Sequence, residues 1–155
     1  GNSYKLIKNI ITNLRPRRLA IRESELWISS EMGSRVEIFD TASFLKIDEI
    51  IFSPRGFRSE QLTPVDIIFN KSQTIGFVAL GSANHVAFID AATREILKYI
   101  LVGRRPWGLA LTDDGNTLFV LNGLSDDVTI VDVASRRPIR TRRTGLVPHS
   151  VEIFH

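Results

Sequence analysis

The chain has 155 residues, 43% of them hydrophobic, and a formal charge of +3. That composition suits one globular domain with its own core and excludes a disordered chain. The lack of cysteine excludes disulfides, thiolate metal sites and a cysteine nucleophile, and no apolar run approaches the roughly 18 residues of a membrane-spanning helix.

Taken in chain order, the elements read as short strands throughout. No stretch carries a sustained 3.6-residue apolar period with caps at both ends. Four prolines, Pro16, Pro64, Pro106 and Pro148, stand 48, 42 and 42 residues apart, and three aspartates, Asp40, Asp90 and Asp132, stand 50 and 42 apart. Each aspartate opens a related tetrapeptide, DTAS, DAAT or DVAS. Two independent markers thus agree on a unit of about 42 residues, lengthened once by SPRGFRSEQLT after Phe52.

The unit is clearest in its last complete copy. There WGLAL, NTLFVLN, DVTIVD and RPIRTRR alternate as half-buried strands, with TDDGN (112–116) and NGLSDD (122–127) as turns. Each marker aspartate ends a third strand, where its carboxylate can accept an amide about two residues on in an Asx-turn. The earlier copies have RESE and NKSQ where this one has Asp-Gly.

Four strands per 40–50 residues in tandem predict an all-β chain of β-propeller blades. YKLIKNIITNLRPRRLAI aligns with REILKYILVGRRPWGLAL 90 residues on, so residues 3–12 are expected to form the outermost strand of a preceding blade. VPHSVEIF (147–154) aligns with RPWGLAL and is expected to form the innermost strand of a following one. Between them lie a blade at 16–52, an insertion at 53–62, and blades at 63–103 and 104–145. Three blades fall short of the four to eight that close a ring, so the chain reads as part of a longer protein or of a ring shared with another chain.

VGRRPWGLAL, DDGNTLFVLN and VTIVDVAS resemble the YVTN-type β-propeller repeat. The stretch from SEQLTPVDIIF to LVGRRPW resembles the later repeats of the β-propeller family associated with PQQ-dependent alcohol catabolism. This resemblance implies a seven-repeat, exported protein of which the chain is about half. It also implies a periplasmic or secreted location, although no leader-like pattern opens this sequence.

Blade geometry gathers the outer-to-inner connections and the turns between second and third strands on one face, at the channel mouth. Arg15, Arg17, Arg18, Arg104, Arg105, Trp107, Pro148 and His149 are expected there, with the loops EMGS (31–34), GSANH (81–85) and NGLSDD. Arg18, Asn84, His85, Arg105, Trp107 and His149 are the ligand-binding candidates. A guanidinium can hold a carboxylate or phosphate through two parallel hydrogen bonds. The alternative is that Trp107 packs the repeat and the arginines are solvated.

His85, His149 and the terminal His155 lack metal-site spacing. No G-x-S-x-G elbow or phosphate loop occurs, and Asp126-Asp127 reads as turn chemistry. No catalytic residue, metal or cofactor is therefore assigned. SRRPIRTRRTG carries five arginines with no interleaved aromatic residue, which argues against nucleic acid and suits an acidic protein partner.

The leading reading is a non-enzymatic binding or accessory propeller, presenting rim loops to a partner protein or a small anionic ligand. The resemblance links it to a PQQ-dependent oxidation system. The alternatives are a lactonase-like propeller hydrolase and a purely structural module. Open blade edges lead us to expect a homo-oligomer.

Overall fold

The structure, a computed structural model, describes residues 5–153. It is built from three antiparallel four-stranded sheets, each with its strands in sequence order. The first sheet comprises β1 (Pro16–Arg22), β2 (Glu25–Ser30), β3 (Arg35–Asp40) and β4 (Lys46–Ile51). The second comprises β5 (Pro64–Phe69), β6 (Ile75–Leu80), β7 (His85–Asp90) and β8 (Ile96–Leu101). The third comprises β9 (Pro106–Leu111), β10 (Thr117–Asn122), β11 (Asp127–Asp132) and β12 (Arg137–Arg143). The third-sheet strands match the sequence reading to within a residue.

The repeat is written in the backbone as clearly as in the side chains. Left-handed residues fall at Glu23, Gln73 and Gly115, at Ser34, Asn84 and Asp126, and at Phe44, Arg94 and Arg136. All three sets are spaced 50 and 42, the spacing of the marker aspartates. RESE and NKSQ therefore make the turn that Asp114-Gly115 makes, with a glutamate and a glutamine accepting the positive φ that glycine takes without cost.

The marker aspartates cap turns as expected. Asp40 Oδ1 accepts the amides of Ala42 (3.2 Å) and Ser43 (2.7 Å), and Asp90 Oδ1 those of Ala92 (2.9 Å) and Thr93 (2.8 Å). Asp132 Oδ1 takes the amide of Ser135, three residues on, at 2.7 Å.

Adjacent sheets bury one face of each against the other. Trp27, Val36, Ile38 and Ile50 of the first pack on Ile67, Val78, Leu80, Ala87 and Ile89 of the second. Phe77, Ala79, Val86, Phe88 and Ile100 of the second pack on Leu109, Leu118, Val120 and Val131 of the third. The insertion is pinned by buried Phe52 and Leu62, with one 3-10 turn at Ser59–Gln61 between them.

The strands expected at 3–12 and 147–154 are not found as such. Residues 5–12 and 148–153 join no ladder, and 1–4 and 154–155 lie outside the described residues. A single strand of a blade has no neighbour here to bond its backbone. The 90-residue correspondence still holds just past the first segment. The Asn13 amide donates to Glu37 Oε2 (2.7 Å), as the equivalent Gly103 amide donates to Thr129 Oγ1 (3.3 Å).

Candidate functional site

The innermost strands β1, β5 and β9 lie side by side, and each is irregular at the same place. Register shifts fall between Pro16 and Leu19, between Pro64 and Ile67, and opposite Pro106 and Gly108. A bulge frees residues from the ladder and re-aims their side chains. The residue after each marker proline consequently faces a common space. Arg17, Val65, Trp107 and His149, with Arg18, line a cavity of about 270 Å³. The next layer inward brings Arg18, Asp66, Gly108 and Ser150 around a second space of about 300 Å³.

Trp107 is set by its neighbours. A Cβ on Gly123 would lie 2.3 Å from Trp107 Cε3, so the indole rests on a bare stretch of backbone. Its centroid stands 5.3 Å from that of His149, the rings tilted by 47°. Gly108 does the same for the last segment, since a Cβ there would meet the His149 carbonyl oxygen at 2.7 Å.

The charge at the mouth is concentrated and partly neutralised. Glu31 is 3% exposed. Its Oε2 lies 3.2 Å from Arg15 Nε and 3.3 Å from Arg17 Nε, and Oε1 accepts from Arg105 Nη2 at 3.1 Å. Arg105 also donates to Ser82 Oγ (2.7 Å), and its amide to Asn84 Oδ1 (2.9 Å). Asp66 joins the three inner strands. Its Oδ2 accepts the Leu109 amide (2.8 Å), its Oδ1 accepts the Ile67 amide (3.0 Å), and Arg18 Nε stands 3.6 Å away. Burial pushes the Asp66 carboxyl above the usual carboxylate range, against the pull of the Leu109 amide, Arg18, the Ile67 amide and His149.

Of the six sequence candidates, Arg18, Trp107 and His149 converge on one cavity. Arg105 stands behind it, held by Glu31 and Ser82. Asn84 is used to fix the Arg105 backbone. His85 turns to the insertion, its ring edge-on to Phe57 at 5.4 Å and Nδ1 2.6 Å from the Ala83 carbonyl oxygen. His85 and His149 therefore do not share a site, and His155 lies outside the described residues. Arg17 and Glu31 were expected on this face without being singled out. Asp66 was missed, although its place after Pro64 aligns it with Arg18 and Gly108.

No family model and no curated protein matches the chain. Among solved structures it is similar to hydrazine synthase of Kuenenia stuttgartiensis, at 19% identity and a TM-score of 0.78 over 96% of this chain and 42% of that one. It is also similar to the periplasmic gluconolactonase of Pseudomonas aeruginosa, at 17% identity and a TM-score of 0.73 over 86% of this chain and 41% of that one. A third similar structure is that of U3-55K, at 14% identity and a TM-score of 0.73, covering 85% of this chain and 40% of that one. The chain thus spans about two fifths of the proteins it resembles in structure. At these identities the likeness speaks for the fold: three successive blades of a β-propeller.

Proposed function

We propose that the chain contributes the ligand-binding mouth of a non-enzymatic β-propeller, and that the ligand is a small molecule bearing a carboxylate or phosphate. The observation that carries this reading is the cavity walled by Arg17, Arg18, Trp107 and His149. Four guanidinium groups, of Arg15, Arg17, Arg18 and Arg105, face two carboxylates, of Glu31 and Asp66, which leaves two positive charges at the mouth. Arg18 is the most available to a ligand inside the cavity, its side chain half exposed. The indole and imidazole supply an apolar wall, the usual complement of a few placed polar groups in a small-molecule site. The repeat's resemblance to propellers associated with PQQ-dependent alcohol catabolism supports an exported setting.

Calorimetric titration with gluconate, citrate and inorganic phosphate, against glucose as the neutral control, tests the reading. At least one anion is expected to bind and glucose is not. Arg18→Ala is expected to weaken binding about tenfold, the weight of one charge-assisted hydrogen bond. Equal affinity for glucose, or no effect of Arg18→Ala, would overturn it.

One observation favours a second reading. A gluconolactonase is among the similar structures, and Asp66 has a raised pKa beside His149. Opening of gluconolactone faster than its spontaneous rate, lost in Asp66→Asn, would favour hydrolysis over binding.

A further inference from the structure

The three copies bring the same two positions into contact at the mouth. The residue after each marker proline, Arg17, Val65 or Trp107, lies against the residue that follows the second strand, Glu31, Gly81 or Gly123. The backbone around the second position is the same in all three. The amides of Glu31, Gly81 and Gly123 donate to the carbonyls of Arg15, Thr63 and Arg105 at 2.9, 2.8 and 3.0 Å. In the second copy a Cβ on Gly81 would meet Val65 Cγ2 at 3.2 Å, and in the third the Trp107 indole covers Gly123. The first copy departs from this pattern. A guanidinium and a carboxylate stand where the other two set an apolar side chain on bare backbone.

A buried carboxylate is costly unless it is paired, and Glu31 is 3% exposed. Its two oxygens are used differently. Oε1 accepts a hydrogen bond from Arg105 Nη2 (3.1 Å), which ties the turn after β2 to the start of β9. Oε2 lies 3.2 Å from Arg15 Nε and 3.3 Å from Arg17 Nε but accepts no aligned hydrogen bond. What holds these two arginines to Oε2 is therefore charge. Among the described residues, Arg17 has no other carboxylate beside it and its guanidinium donates no hydrogen bond. Its terminal nitrogens stay free for a ligand while its Nε is drawn to Glu31.

We propose, on the anion-binding reading above, that Glu31 is a positioning residue: its charge aims Arg17 into the cavity shared with Arg18, Trp107 and His149, and so strengthens the binding of an anion although it is itself negative. The expected sign is opposite to that of charge balance. Neutralising Glu31 takes the mouth from two net positive charges to three, and a mouth governed by net charge would then hold an anion more tightly. Without its carboxylate, however, Arg17 regains the rotamer freedom of a long side chain and is repelled by Arg15 and Arg105. A ligand must then order it on binding.

Glu31→Gln keeps the side-chain volume and the oxygen that Arg105 uses, and removes the charge. Calorimetric titration with gluconate, citrate and inorganic phosphate compares the parent, Glu31→Gln, Arg17→Ala and the double variant. Glu31→Gln is expected to weaken the tightest of these anions about tenfold, the weight of one hydrogen bond to a charged group. With Arg17 already replaced by alanine, it is expected to cause no further loss. Arg17→Val with Glu31→Gly rebuilds the contact of the second copy, so it is expected to fold, with a urea midpoint near the parent's, and to bind no more weakly than Arg17→Ala. Binding by Glu31→Gln as tight as the parent's, or tighter, overturns the proposal. So does an equal loss in the Arg17→Ala background, or a rebuilt pair that binds more weakly than Arg17→Ala. In each of these cases the anion-binding reading stands, because the parent binds; a parent that binds none of the three anions overturns both.

Discussion

Arg94 meets three demands at the joint between the first two sheets. It pairs with Glu25, its Cζ lies 5.3 Å from the Trp27 ring centroid, and it reaches Asp48. Glu25 also accepts from Arg22 Nη1 (3.2 Å) and Trp27 Nε1 (2.9 Å). Burial raises the Glu25 pKa, but its bonds to Trp27, Arg94 and Arg22 outweigh that, so the net shift is downward. Removing one partner of a buried pair leaves a charge stranded. Arg94→Ala is expected to cost about 2 kcal/mol, below the usual 3–5 because Arg22 and Trp27 remain. A urea midpoint shift worth under about 0.5 kcal/mol would put the pair among ordinary surface bridges.

The turn aspartates give a pH dependence of definite sign. Hydrogen bonds from Ser43, Thr93 and Ser135 hold Asp40, Asp90 and Asp132 below the usual carboxylate range. Their contribution is present above the unfolded value of about 3.9 and is lost as pH falls through the lower folded values. Asp66 has the opposite sign: its contribution is present below about 3.9 and is lost as pH rises through its raised folded value. The triple variant Asp40→Asn, Asp90→Asn, Asp132→Asn keeps an acceptor at each turn. It is expected to lose less stability than the parent between pH 5 and pH 2, measured by urea midpoints. An unchanged slope would show that other carboxylates govern acid unfolding.

At the scale of elements, strand order was legible because proline and aspartate punctuate every copy, and period-two alternation does the rest. The mouth was legible only in part. Alternation says that Arg17 and Arg18 point to opposite sides; the register shift after Pro16 brings both to one cavity, and no residue pattern announces that shift. The same break hid Asp66, because strict alternation along VDIIF does not show where a residue inside the register shift between Pro64 and Ile67 will face. Gly123 shows how an element carries the site. Gly123→Ala would place a methyl inside the Trp107 ring contact. Overpacking of this kind costs about 1–3 kcal/mol. The variant is expected to displace the indole, with a red-shifted emission and easier acrylamide quenching. Trp27, fully buried, supplies an invariant background. Unchanged quenching would mean that the ring does not rest on this backbone in solution.

At the scale of the molecule, three sheets in a row are not equivalent. Only the second is covered on both faces. Phe77, Val78, Ala79, Leu80, Val86, Ala87, Phe88 and Ile89 are all 0% exposed. The first sheet leaves Leu19 (66%), Ile21 (63%) and Ile47 (53%) open on its far side, and the third leaves β12 bare. Stacked repeats draw stability from nearest-neighbour interfaces, so the central unit is stabilised by two joints and each outer unit by one. Amide exchange reports that difference directly, because local opening samples free energies from near zero up to the global value. The slowest amides are expected in β6 and β7, those of β2, β3, β10 and β11 intermediate, and those of β12 fastest among the strands. Uniform protection across all three sheets of the free chain would contradict this gradient. It would mean that the outer faces are already covered in solution.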